Sequence, residues 1–180
     1  MKHISLAMQR EHLHDIPEAA LPEGYRISLY QPGDEHFWAD IETRAGEFRE
    51  REAALEHFQR EYGPHIDEVK QRCLFLFDPE GNAIGTATAW RGDTFGEPQG
   101  RIHWVGIVPE AQGRKLAKPL LSAALRVLAE LGHTSAYLTT QTTSWRAVNL
   151  YLNYGFVPHR NSPSCDEGWT LIEQQLGRND

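Results

Sequence analysis

The stretch from Ile102 to Gly132 constrains the fold of this chain more than any other. Ile102 to Val108 is apolar enough for a strand, and Pro109 stops it. Glu110 to Ala117 is polar and carries a single glycine, Gly113. It opens into Leu116, Leu120, Leu121, Ala124, Leu125, Leu128 and Leu131, the spacing of an amphipathic helix that Gly132 ends. A strand that feeds a helix through a polar loop aims the helix's first unpaired amides, and about half a positive charge, at whatever lies over the loop. Such a loop suits a phosphate or pyrophosphate, and Arg114 and Lys115 add mobile cationic charge beside it. Neither the Walker A nor the GxGxxG spacing is present, so a nucleotide held in either of those ways is not expected.

The rest of the pattern alternates between periods. Ile27 and Leu29 predict a first strand over Tyr25 to Tyr30, and Phe37, Trp38, Ile41 and Ala45 recur at helical spacing behind the turn Gln31 to Asp34. A second helix is predicted from Glu50 to Tyr62. From Asp67 the period changes to two, and Cys73–Phe77 and Ala83–Trp90, joined by the turn Asp78 to Asn82, predict a β-hairpin. A strand at Ala136–Thr140, a helix at Ser144–Tyr154 and short strands at Phe156–His159 and Trp169–Gln175 complete the series. Pro17, Pro22 and Gly24 mark residues 1–23 as an arm leading into one domain over residues 24–180. The expected fold class is mixed α/β: a twisted sheet with helices on both sides.

At 180 residues and 40% hydrophobic content the chain can bury a core of its own, so Cys73 and Cys165 are not needed as a framework. No apolar run approaches the roughly 20 residues needed to cross a bilayer, and no signal peptide is readable, so neither a membrane nor export is expected and the cytoplasm is the default location. With 18 Lys plus Arg against 25 Asp plus Glu the net charge is −7, which repels nucleic acid and mildly favours a cationic small molecule. His3, His12 and His14 have no spacing that fixes metal ligands on one face, and no metal is expected.

Two stretches narrow the function. The loop Gln112, Gly113, Arg114, Lys115, Leu116, Ala117 matches the pattern Q/R-x-x-G-x-G/A at Gln112 and Ala117, with Lys115 where glycine is usual. Ser144, Ala147, Leu150, Tyr151, Gly155 and Phe156 follow Asn-x-x-Ala-x-x-Leu-Tyr-x-x-x-Gly-Phe, with serine in the asparagine place. In these motifs, and in element order from Tyr25 to Gln175, the chain resembles the Gcn5-related N-acetyltransferase (GNAT) family, whose sheet is mostly antiparallel.

The resemblance implies acetyl-CoA as cosubstrate, no metal, and direct transfer of the acetyl group to a primary amine of a small molecule or peptide. It places the pyrophosphate on the amides of Gln112, Gly113, Arg114, Lys115, Leu116 and Ala117, and the pantetheine along Val105, Ile107 and Val108, where an amide chain can pair as an added strand. Amides of that strand edge would also stabilise the oxyanion. Ser144 and Asn149 are further cofactor contacts, and Tyr151 stands at the position of the acid that protonates the departing thiolate.

His103 is the candidate base. Strand alternation puts it on one face with Val105 and Ile107, and an imidazole pKa near 6.5 suits the work. Glu97 and Glu47 are reserves, and the acceptor is expected to meet the Phe37–Glu61 region and the loop Gly92–Gly100. A covalent route through Cys73 and a non-catalytic acyl-CoA-binding domain are the alternatives, and a homodimer is left open.

Overall fold

The structure, a computed structural model, describes residues 1–177. Seven strands form one sheet in the order β2-β3-β4-β5-β6-β1-β7. They are β1 (Ser5–Arg10), β2 (Arg26–Leu29), β3 (Cys73–Phe77), β4 (Ala83–Gly92), β5 (Gln99–Ile107), β6 (Ala136–Gln141) and β7 (Val157–His159). Every neighbouring pair is antiparallel except β5 and β6. The helices are α1 (Glu35–Arg44), α2 (Arg51–Glu61), α3 (Ile66–Arg72), α4 (Ala117–Glu130), α5 (Trp145–Asn153) and α6 (Pro163–Leu176).

Glycines show how closely the layers approach. A Cβ on Gly100 of β5 would lie 2.9 Å from Leu128 of α4, whereas one on Gly106 of the same strand would lie 2.8 Å from Glu42 of α1. Helices α4 and α1 therefore cover opposite faces of β5. The leucine stripe of α4 is the cause on one side, since Leu120, Leu121, Leu125 and Leu128 are all fully buried. On the other side Trp38 and Ile41 of α1 and Phe58 of α2 fill the core. Apolar burial at about 25 cal/mol per Å² makes these two stripes the main source of stability.

Three expectations fail. Residues 1–23, expected as an arm, instead supply β1, which lies between β6 and β7 in the sheet. Leu6, Ala7 and Met8 are consecutive buried residues, because both faces of β1 are covered, and the alternation that marks a half-exposed strand is missing. The segment after β1 is packed too: buried Arg10 donates to the Tyr154 carbonyl at 2.7 Å and to that of His14 at 3.1 Å, and Ser122 Oγ donates to Pro17 O at 2.7 Å. Trp169–Gln175, expected as a strand, lies in α6, where Cys165, Trp169 and Ile172 are buried at spacings of four and three. Pro163 in its first turn and left-handed Gly177 after its end bound that helix. Helix α3 occupies residues 67–72, where the period-two reading began, whereas the hairpin strands lie where expected, at Cys73–Phe77 and, two residues longer, Ala83–Gly92.

Candidate active site

β5 and β6 are paired only at Gly100 with Ala136 and Arg101 with Tyr137. Beyond that point both strands continue without a ladder between them, so Ile102–Ile107 and Leu138–Gln141 are edges facing a gap. Parallel strands that diverge leave unpaired amides, which is costly unless another polar chain or water completes them. Val108 N–H donates to Ile84 O at 3.0 Å, toward β4. Alternation then turns the amide and carbonyl of Ile107 toward the gap, and the Gln112 side-chain amide takes that carbonyl at 2.9 Å. Val108 itself is fully buried with its amide committed, so the structure removes it from the expected cofactor edge.

One cavity, of about 520 Å³, lies over the outer half of the gap, between Val105 and Ile107 of β5, the loop before α4, and Trp145 and Arg146 of α5. Gly113, Lys115, Leu116 and Ala117 line it, as does Lys118. A second cavity, of about 280 Å³, occupies the inner half and is bordered by Glu42, Glu47, His103, Thr139 and Gln141. Val105, Ser144, Ala147 and Tyr151 line both, so the two are one continuous cleft.

The loop leaves a run of amides unpaired. The amides of Ala111 and Gln112 are bonded to the carbonyls of Val108 and Pro109, whereas among the described residues those of Gly113, Arg114, Lys115 and Leu116 have no backbone acceptor. Gly113 and Lys115 have φ of +78° and +61°. Lys115 thus adopts the left-handed conformation that the usual glycine would adopt without cost, at roughly 1 kcal/mol of strain. Lys118 and Arg146, which sequence reasoning passed over, bring further positive charge to this cavity. Arg114 is beside the lining rather than in it, and half-buried Asn149 lines neither cavity.

Tyr151 sits at the junction. Its residue surface is 7% exposed, its ring meets Phe156 edge-on at 6.0 Å, and burial, followed by the charges of Glu42 and Glu47, raises its pKa above the ordinary phenol value. It is protonated at neutral pH and faces both cavities.

A β-bulge changes the environment of His103. Thr86 pairs with Gly106 and Thr88 with His103, so Trp104 and Val105 together oppose the single residue Ala87. The extra residue reverses the alternation: His103 shares a face with Gly106 and not, as expected, with Ile107. Trp104 absorbs the irregularity at φ +49°, an unusual conformation for a bulky side chain. Its ring is held by Phe48, Trp38 and His57 at 5.5, 5.4 and 5.1 Å, and its indole N–H donates to Glu61 Oε2 at 3.0 Å.

Glu61 collects three donors, since His103 Nε2 and His57 Nε2 also reach it, the latter at 2.6 Å. Burial acts to raise the Glu61 pKa, but these hydrogen bonds outweigh it and hold the carboxylate at about 2. An ionised carboxylate only accepts, so His103 carries its proton on Nε2 and keeps Nδ1 as the basic nitrogen. Burial lowers the His103 pKa, with the Glu61 bond opposing it. Burial thus favours the neutral imidazole, with Nδ1 unprotonated.

The remaining candidates separate cleanly. Glu97 is exposed in the loop between β4 and β5, at the end where β5 and β6 are still paired, and neither cavity includes it. The Gly92–Gly100 loop therefore lies away from the cleft. Glu47 does border the inner cavity. Cys73 is fully buried on β3 outside both cavities, and burial pushes its thiol up to about 12, which leaves it unreactive. Glu42, inside the Phe37–Glu61 region expected to meet the acceptor but not singled out there, is fully buried, and neither of its carboxylate oxygens has a hydrogen-bond partner among the described residues.

The site is thus a mixed sheet splayed at its one parallel pair, with a loop of unpaired amides opening a helix beside the splay. The family model described as Acetyltransferase (GNAT) family matches residues 11–156, and the chain belongs to that family. A mycothiol acetyltransferase of Pseudarthrobacter chlorophenolicus is 30% identical over 154 residues, covering 79% of this chain and 45% of the relative. One of Nocardia farcinica is 31% identical over 156 residues, covering 79% and 48%. The chain thus spans about half the length of these curated relatives. Among solved structures, a GCN5-related N-acetyltransferase from Sphaerobacter thermophilus superposes with a TM-score of 0.70 at 22% identity, covering 87% of this chain and 49% of the other. A GNAT-family acetyltransferase from Colwellia psychrerythraea gives 0.67 at 13% identity, covering 87% and 53%. No helix among the described residues is long and apolar enough to cross a membrane.

Proposed function

We propose that the chain is an acetyl-CoA-dependent N-acetyltransferase that acts in the cleft between β5 and β6. The observation that carries this reading is continuity: one cleft runs from unbonded loop amides and three cations, past an open strand edge, to a buried phenol and then to a second chamber. A long cosubstrate with an anionic end, an amide-bearing middle and a reactive tip fits that sequence of surfaces.

The amides of Gly113 to Leu116, with Lys115, Lys118 and Arg146, hold the pyrophosphate. The open edge at Val105 and Ile107 pairs with the pantetheine, and Ser144, whose Oγ accepts from Gln141 Nε2 at 2.7 Å, borders the same path. Bound acetyl-CoA supplies an activated acyl carbon. The acceptor enters from the inner chamber, so its nitrogen approaches from the side of His103 and Glu47. His103 Nδ1 takes the amine proton, directly or through water, as the nitrogen bonds to the acyl carbon. Tyr151 returns a proton to sulfur as the C–S bond breaks, and gap-facing amides of β5 stabilise the oxygen that gains charge. Its raised pKa keeps Tyr151 a proton donor throughout the physiological range.

The test is release of free CoA thiol from acetyl-CoA with polyamines, aminoglycosides, amino acids, peptides and the acceptor of the mycothiol acetyltransferases. Amine-dependent release with at least one class is expected. Tight acetyl-CoA binding with no release across the panel would make this an acyl-CoA-binding domain instead.

A further inference from the structure

Glu42 is the least explained residue of the cleft. It lies on α1 among Trp38, Ala39 and Ile41, all fully buried, and its own residue surface is 0% exposed. Both carboxylate oxygens lack a hydrogen-bond partner among the described residues, yet the side chain borders the inner chamber. A buried polar group without a partner is destabilising, and a buried carboxyl more so. Gly106 is the residue against which it packs, at a distance that leaves no room for a side chain on the strand.

The groups around it offer no fixed cation. Glu47 faces it from the loop after α1, His103 from β5, Tyr151 from α5, Tyr62 from the end of α2 and Cys73 from β3. Of these His103 is neutral at pH 7, the phenols and thiol are protonated, and Glu47 adds negative charge. Burial, and then Glu47, pushes the Glu42 carboxyl well above the ordinary carboxylate range.

We infer that Glu42 is the recognition site for the acceptor's ammonium group, and that the acceptor class is a cationic primary amine whose charged end enters the inner chamber. This rests on the acetyltransferase reading for the identity of the acceptor, but its physical content is independent of turnover. The chamber is walled by carboxyls and by groups that carry no charge, so the positive partner of the buried carboxylate arrives with the substrate. Binding ionises the carboxyl. A protonated Glu42 and an ammonium become a carboxylate–ammonium pair, and one proton leaves to solvent; this pair is the binding state, and the nitrogen attacks only after its own proton passes to His103 Nδ1.

That proton is the readout. The full chain, saturated with CoA, is titrated with ethylammonium chloride against sodium chloride at equal ionic strength, and infrared difference spectra follow the protonated-carboxyl band. The band is expected to fall saturably, to stay unchanged in Glu42→Gln, and to fall as in the wild type in Glu97→Gln, whose side chain is remote from the cleft. With an acceptor from the turnover panel, Glu42→Gln should raise KM about 30-fold or more, the effect of removing one partner of a buried charge pair, while acetyl-CoA binding is retained. A wild-type band that does not respond, or a response that survives in Glu42→Gln, would overturn the assignment. The wild-type measurement needs no variant to fold. Failure of acetyl-CoA to stabilise the protein would count against the acetyltransferase reading alone.

Discussion

Replacing Gly106 with alanine probes the contact on which the cleft depends. The added Cβ would lie 2.8 Å from Glu42 Oε1, 3.1 Å from Cδ and 3.2 Å from Oε2. The carboxylate ends a flexible side chain, but Trp38, Ala39 and Ile41 beside it are fully buried, so it can give way only toward the inner chamber, which holds the cost to the lower part of the usual range. Overpacking of this kind costs about 1–3 kcal/mol. Alanine also restricts the unfolded chain, which returns about 0.4–1 kcal/mol, and Gly106 is not among the residues with positive φ, so the backbone accepts the new side chain. The net loss is about 1 kcal/mol, or a fall in Tm of about 2–4 °C at this chain length. Thermal denaturation of Gly106→Ala, Glu42→Ala and the double variant measures it. If the clash is with Glu42, the cost of Gly106→Ala disappears in the Glu42→Ala background, a coupling of about 1 kcal/mol or more. A Gly106→Ala protein as stable as the wild type, or a cost unchanged without Glu42, would refute the packing described for this wall.

Glu42→Gln should become progressively more stable than the wild type as pH rises. Below the unfolded carboxyl's value of about 4.3 both states of the wild type are protonated. Above it the unfolded state ionises while the folded state does not, and the wild type loses about 1.4 kcal/mol per pH unit until its raised native value is passed; urea denaturation across that range reads the divergence. Tyr151→Phe keeps the ring against Phe156 and should lower kcat by about 10²-fold with acetyl-CoA affinity unchanged; full activity would leave the phenol a packing residue. Because burial lowers the His103 pKa, the acid limb of kcat/KM should fall below pH 6.5, contributed by loss of the neutral base as pH drops. A limb that survives His103→Ala and moves with the amine's own pKa would assign the proton to the substrate or water.

The central unit was legible because its signals are local. A proline stop, a polar loop and a leucine stripe define β5, the loop and α4 without knowledge of the rest, and Tyr151 follows from a motif on one helix. What the sequence hid was set by tertiary cover or by a single extra residue. β1 has no alternation because both its faces are buried, and α6 presents Trp169 and Leu171 in a way that also suits a strand. The bulge at Trp104 carries no glycine or asparagine to announce its left-handed φ, and it moved His103 to the face where Glu61 holds its tautomer. Glu42 reads as one more acidic position on an amphipathic helix. Only the packing of α1 over Gly106 makes it a buried carboxyl, although a glycine in the middle of an apolar strand is a sign of close approach.

Backbone amide exchange with and without acetyl-CoA tests the site most directly. The amides of Val105 and Ile107 on the open edge of β5, and of Gly113, Arg114, Lys115 and Leu116 in the loop, are expected to become protected together at saturating acetyl-CoA, while Val108, already bonded to Ile84, changes little. Protection of the loop without the strand edge, or of neither, would contradict a cosubstrate lying in the gap between β5 and β6.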